Sequence, residues 1–145
     1  VGHSSTLLLG VFADIHINAF IIDAIIGLSV VYKALDNLGA FQRWFGIQPN
    51  TKISTLIFGL FHGFGLATKI IEFEMVSNGL FTNLIAFNIG VEIGQLLALS
   101  AILILISYWR KQPSFLIYAY STNIVLMISG FILTGYQLFE YFNSL

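Results

Sequence analysis

The sequence predicts an all-α protein, a polytopic bundle of transmembrane helices, and three observations predict it. Only 9% of its 145 residues are charged and 57% are hydrophobic, whereas a soluble domain carries about 25% charged residues. The apolar residues fall in runs that match the roughly 20 residues a spanning helix needs. Those runs lack the alternation over about 10 residues that marks barrel strands. Helices are then the structure that satisfies backbone hydrogen bonds in lipid.

Five apolar segments follow one another. Gly2 to Phe12 is too short to span alone and reads as the end of a helix begun upstream. A polar break with Asp14 and His16 follows, and Asn18 is an N-cap for a second helix that stops at Asn37, Leu38 and Gly39. Gly39 to Asn50 reads as a loop, with Trp44 and Phe45 suited to a membrane interface. The third helix runs from Thr51 to Ile71, ahead of a loop with Glu72, Glu74, Ser77, Asn78 and Gly79. The fourth runs from Leu80 to Trp109, and a tight turn of Arg110, Lys111, Gln112 and Pro113 closes it. The fifth runs from Ser114 to Phe142, with tyrosines toward both ends.

The chain reads as one transmembrane domain over residues 1–145. It opens on Val1, and no basic stretch precedes the first apolar run, so that run is not a signal peptide. The expectation is an N-terminally truncated fragment. Of the six basic residues, Lys33, Arg43, Lys52, Arg110 and Lys111 fall on one side and Lys69 on the other. That excess assigns the first side to the cytoplasm and the C-terminus to the opposite side. A net charge of −1 gives no footprint for nucleic acid. The absence of cysteine removes disulfides, thiolate metal sites and thiol catalysis.

Polar side chains at membrane depth are the candidate functional groups, because each must face protein or water. Asn88, Glu92 and Gln95 lie within about 60° of one another on the fourth helix. Gly90 and Gly94 lie on the opposite face, where such a pair admits a neighbouring helix. The expectation is that this helix packs on its glycine face and turns its polar stripe into the bundle. The stripe serves either as interhelical hydrogen bonding or as ligand. His62 sits mid-way along the third helix between Gly59 and Gly63. It either bonds a carbonyl or acts as an ion ligand or proton relay opposite Glu92, with a neutral ring nitrogen available near neutral pH. Asp23 is either paired to a neighbouring helix or functional. His3 opens the first segment. Asp14 and His16 either collect a cation at the mouth or are ordinary solvated loop residues, and Glu72 and Glu74 read as a solvated loop whose negative field attracts cations. Imidazole and carboxylate without thiolate suit nickel, cobalt, zinc or manganese better than Cu(I).

Three stretches carry a resemblance. Gly59-Leu60-Phe61-His62-Gly63-Phe64-Gly65-Leu66-Ala67, Phe87-Asn88-Ile89-Gly90-Val91-Glu92-Ile93-Gly94-Gln95-Leu96 and Gly2-His3-Ser4-Ser5-Thr6-Leu7 resemble segments of the HupE/UreJ membrane proteins. The second helix, with Gly27-Leu28-Ser29-Val30 and Asp36-Asn37-Leu38, is similar to theirs, so the likeness spans nearly the whole chain.

The resemblance implies a bundle of about six helices. It also implies metal ligands among His and acidic residues, and a role in hydrogenase and urease maturation. Carried over by position, the matching residues are His3, His62, Asn88, Glu92 and Gln95, with Asp23 where the family often has Glu. The earlier His-rich, acidic helix usual in the family is not within this sequence.

The function expected is a permease for a divalent metal ion, nickel or cobalt, in the bacterial cytoplasmic membrane. It would hold no permanent cofactor and would pass its ion to metallochaperones or metalloenzyme maturation proteins. Two alternatives stand beside it. One is an intramembrane metal-dependent hydrolase, with zinc on a His/Glu pair and Ser4 or Ser5 near His3. The other is a non-transporting accessory subunit. Haem between His62 and His3 is a further arrangement the residue types allow. No HExxH helix and no nucleotide-binding signature occurs.

Overall fold

A computed structural model describes residues 2–13, 17–72 and 80–145, with residues 71, 72, 80 and 81 as backbone only. Every regular element among them is a helix: α1 (Gly2–Phe12), α2 (Ala19–Asn37), α3 (Ala40–Phe45), α4 (Thr51–Glu72), α5 (Leu80–Trp109) and α6 (Phe115–Asn143). Among the described residues three helices are long and apolar enough to cross a membrane: Thr51–Ile70 in α4, Thr82–Trp109 in α5, and Phe115–Asn143, the whole of α6. At 1.5 Å per residue α5 is about 45 Å long. A hydrocarbon core is about 30 Å thick, so α5 either tilts or carries its ends into the headgroup layer.

The predicted boundaries match closely, and local chemistry explains them. Asn18 caps α2, its Oδ1 accepting from the Phe20 N–H at 2.9 Å. Asn50 caps α4, its Oδ1 accepting from Lys52 N–H at 3.0 Å and Ile53 N–H at 3.4 Å. The turn after α5 is held by Gln112 N–H donating to Trp109 O at 2.9 Å and Phe115 N–H donating to Gln112 O at 3.1 Å.

One expectation is corrected. Residues 39–50 are not loop throughout, because α3 occupies the middle. Gly39 and Gly46 bracket it in left-handed conformation, at φ 70° and 67°, which side-chain-bearing residues rarely adopt. Gly39 ends one helix and opens the next, and the Gly46 N–H closes α3 on Gln42 O.

The chain divides into two compact units, residues 1–74 with 122–145, and residues 75–121. In the first unit the helices lie in the order α1, α4, α2, α6. Gly2, Thr6 and Gly10 of α1 meet Leu56, Leu60 and Ala67 of α4 in rising order, so the two run parallel. A Cβ on Gly10 would lie 2.6 Å from the Ala67 Cβ. The Thr6 hydroxyl donates to Leu60 O at 2.8 Å.

α2 runs antiparallel to α4. Tyr32 meets Ser54 at 3.0 Å and stacks edge-on against Phe58, while Ile22 and Ile26 press on Gly65. On its other side α2 crosses α6, where a Cβ on Gly130 would lie 2.8 Å from Gly27 O. Among the described residues the core of this unit consists of Leu7, Ile22, Ala24, Val31, Ala34, Ala40, Ala67 and Ile70.

α2 carries three charged residues, and each carboxylate has a cation. Asp23 pairs with Lys69 at 3.3 Å and Asp36 with Lys33 at 2.6 Å. Asp36 is buried and also accepts from Gln48 Nε2 at 2.8 Å, tying the α3–α4 connection to the end of α2.

Candidate functional site

His62 is placed by the glycines around it. Gly59 and Gly63 strip α4 of side chains along one edge, and α1 settles into the gap. A Cβ on Gly63 would collide with the Thr6 hydroxyl and the His3 carbonyl, and one on Gly59 would lie 3.6 Å from His3 N. His3 and His62 therefore stand at the same level of two touching parallel helices. His3 is half-buried, and its Nδ1 is shielded from solvent.

The His62 side chain is exposed, with Nδ1 2.8 Å from Phe58 O one turn earlier. A carbonyl can only accept, so Nδ1 carries the hydrogen. In the neutral ring the lone pair then belongs to Nε2. A hydrogen bond from one ring nitrogen fixes tautomer and orientation in this way wherever imidazole binds a metal.

Asp23 lies elsewhere. Its carboxylate is held by Lys69, which is seven residues, or about 10 Å of helix, beyond His62 on α4.

The second unit carries the polar stripe of α5. Glu92 and Gln95 are exposed, while Asn88 is half-buried. The Asn88 Oδ1 is shielded from solvent and has no hydrogen-bond donor among the described residues. Within its own unit α5 does not pack on its glycines. Nothing among the described residues of that unit lies within 4 Å of a Cβ at Gly90 or Gly94. The reason is local: the other helical stretch of this unit is the start of α6, at the far end of α5. There the rings of Phe115 and Tyr118 pack on Trp109, with centroids 5.6 and 6.1 Å away.

Within neither unit do three or more His, Asp or Glu side chains converge among the described residues. Asp14, His16 and Glu74 lie outside the described residues, as does the side chain of Glu72, whose backbone ends α4.

Comparison with known families matches residues 1–144 to the HupE / UreJ protein family. The chain belongs to the HupE/UreJ family. No curated protein and no solved structure matches it. Its family and its three membrane-length helices make it a membrane protein.

In this HupE/UreJ chain the Gly59–Ala67 stretch is a packing seam and a histidine carrier at once. The small residues Gly59, Gly63 and Ala67 face α1, and His62 sits one position before the central glycine. The opening Gly2–Leu7 stretch is the other half of that seam. Sequence reasoning found both halves but not their pairing. The signal was present as Gly2, Thr6 and Gly10, a second spacing of four. It also missed Lys69 as the partner of Asp23, since the relative rotation of two helices is a tertiary property.

Proposed function

We propose that this HupE/UreJ chain is a permease for a divalent transition-metal ion, nickel first and cobalt second, supplying metalloenzyme maturation. His62 offers Nε2 to the ion, and His3 adds a second imidazole. Glu92 contributes a carboxylate, and Asn88 and Gln95 contribute amide oxygens or orient it. Asp23 belongs to the same set when Lys69 releases it. We place the protein in the bacterial cytoplasmic membrane, its C-terminus outside the cytoplasm, on the excess of Lys and Arg at the other side.

The observation that carries the reading is His62. An imidazole at the middle of a membrane-length helix is unfavourable unless it serves protein, water or an ion. This one is exposed, and its Nδ1–H is anchored on its own helix. Family membership supports a transport or accessory role over catalysis. The ion is cargo, so loose ligation with oxygen donors suits passage better than a closed site does.

The test is nickel accumulation by cells expressing the full-length protein, compared with a His62→Ala, Glu92→Ala double variant made to equal level in the membrane. Accumulation should fall to that of cells lacking the protein. Undiminished accumulation in the double variant would end the proposal.

A further inference from the structure

The turn between α5 and α6 has a composition that the transport reading leaves unused. Leu103, Ile104, Ser107, Tyr108 and Lys111 line a shallow groove along one face of α5. From Leu103 to Lys111 it follows the helix for about 12 Å. The Ser107 hydroxyl donates back to Leu103 O at 2.7 Å, so its hydrogen is used within the helix and the slot is apolar in effect. At the mouth, Lys111 Nζ stands 5.4 Å over the Tyr108 ring, and Arg110 follows Trp109. Neither cation has a carboxylate partner among the described residues. The sequence has no Asp or Glu from residue 93 to 139. An apolar slot with uncompensated Lys111 in its lining, a second cation, Arg110, next to it in the chain, and interfacial aromatics beside it suits an amphiphile with an anionic head.

We propose that this groove binds an anionic phospholipid, one acyl chain lying along Leu103, Ile104 and Ser107 and the phosphate meeting Lys111 and Arg110. The charge complementarity selects the headgroup. A zwitterionic lipid brings its own ammonium to the phosphate and gains less from the two cations. Each Lys or Arg near an anionic surface favours binding by about fivefold.

The experiment is native mass spectrometry of the full chain in detergent, with equal phosphatidylglycerol and phosphatidylcholine added. The wild type should retain phosphatidylglycerol about 25-fold over phosphatidylcholine, fivefold for each of the two cations. The Arg110→Gln, Lys111→Gln variant should lose that preference. The charge-preserving Arg110→Lys, Lys111→Arg variant and the Lys52→Gln variant should keep it. Millimolar inorganic phosphate should not displace the lipid, because it has no chain for the slot. Equal retention of both lipids by the wild type would overturn the proposal. So would a preference that survives removal of both charges, an equal loss in Lys52→Gln, or displacement by inorganic phosphate.

Discussion

α4 and α5 carry the same sequence device with opposite outcomes. Each has two glycines four residues apart, Gly59 with Gly63 and Gly90 with Gly94, beside an ionisable residue, His62 or Glu92. On α4 the glycines are filled by α1, so closely that a methyl group at Gly63 would strike the Thr6 hydroxyl and the His3 backbone. On α5 nothing among the described residues of its own unit lies within 4 Å of a Cβ at either glycine. A glycine pair permits close approach but does not produce it. What α4 has in addition is a partner built to match. Gly2, Thr6 and Gly10 give α1 a small-residue edge in the same register, and the Thr6 hydroxyl reaches across to Leu60 O.

Substitutions can break that comparison, and the glycines themselves carry the largest expected effect. Gly63→Ala should destabilise the protein by about 1–3 kcal/mol, the range for overpacking. Gly90→Ala should be neutral or stabilising by roughly 0.5–1 kcal/mol, since alanine is the better helix former. Thermal or SDS unfolding of both variants in the same detergent separates them. Equal losses would mean that α5 packs on its glycines after all.

Next comes the hydroxyl. Thr6→Val keeps the shape at the seam and removes the bond to Leu60 O, and should lower stability by about 0.6 kcal/mol, the average for interhelical side-chain bonds in membranes. The smallest effect belongs to Asp23 and Lys69. Lys69 is half exposed, and solvent screening leaves such a pair about 0.5 kcal/mol or less. A double-mutant cycle of Asp23→Asn and Lys69→Gln reads the coupling directly. A coupling well above this range would mark the pair as desolvated.

The elements were legible in the sequence where local chemistry sets them. Asn18 announces the start of α2, the Arg110–Pro113 turn announces the end of α5, and the long apolar runs leave no alternative to helix. α3 was not legible, because a six-residue helix between two left-handed glycines has the composition of a loop. The candidate site was half legible. His62 and Glu92 stand out as ionisable groups at membrane depth, and that needs only the helix boundaries. The level shared by His3 and His62 and the capture of Asp23 by Lys69 depend on how helices rotate and slide against one another. Their residue types alone do not encode this.

The most direct measurement is a cycle on nickel uptake, with His62→Ala, Glu92→Ala and the double variant at matched membrane levels. If both side chains serve the passage of the same ion, each single variant should lower uptake at least tenfold. The double variant should be no worse than the more impaired single. Wild-type uptake in all three would contradict the account.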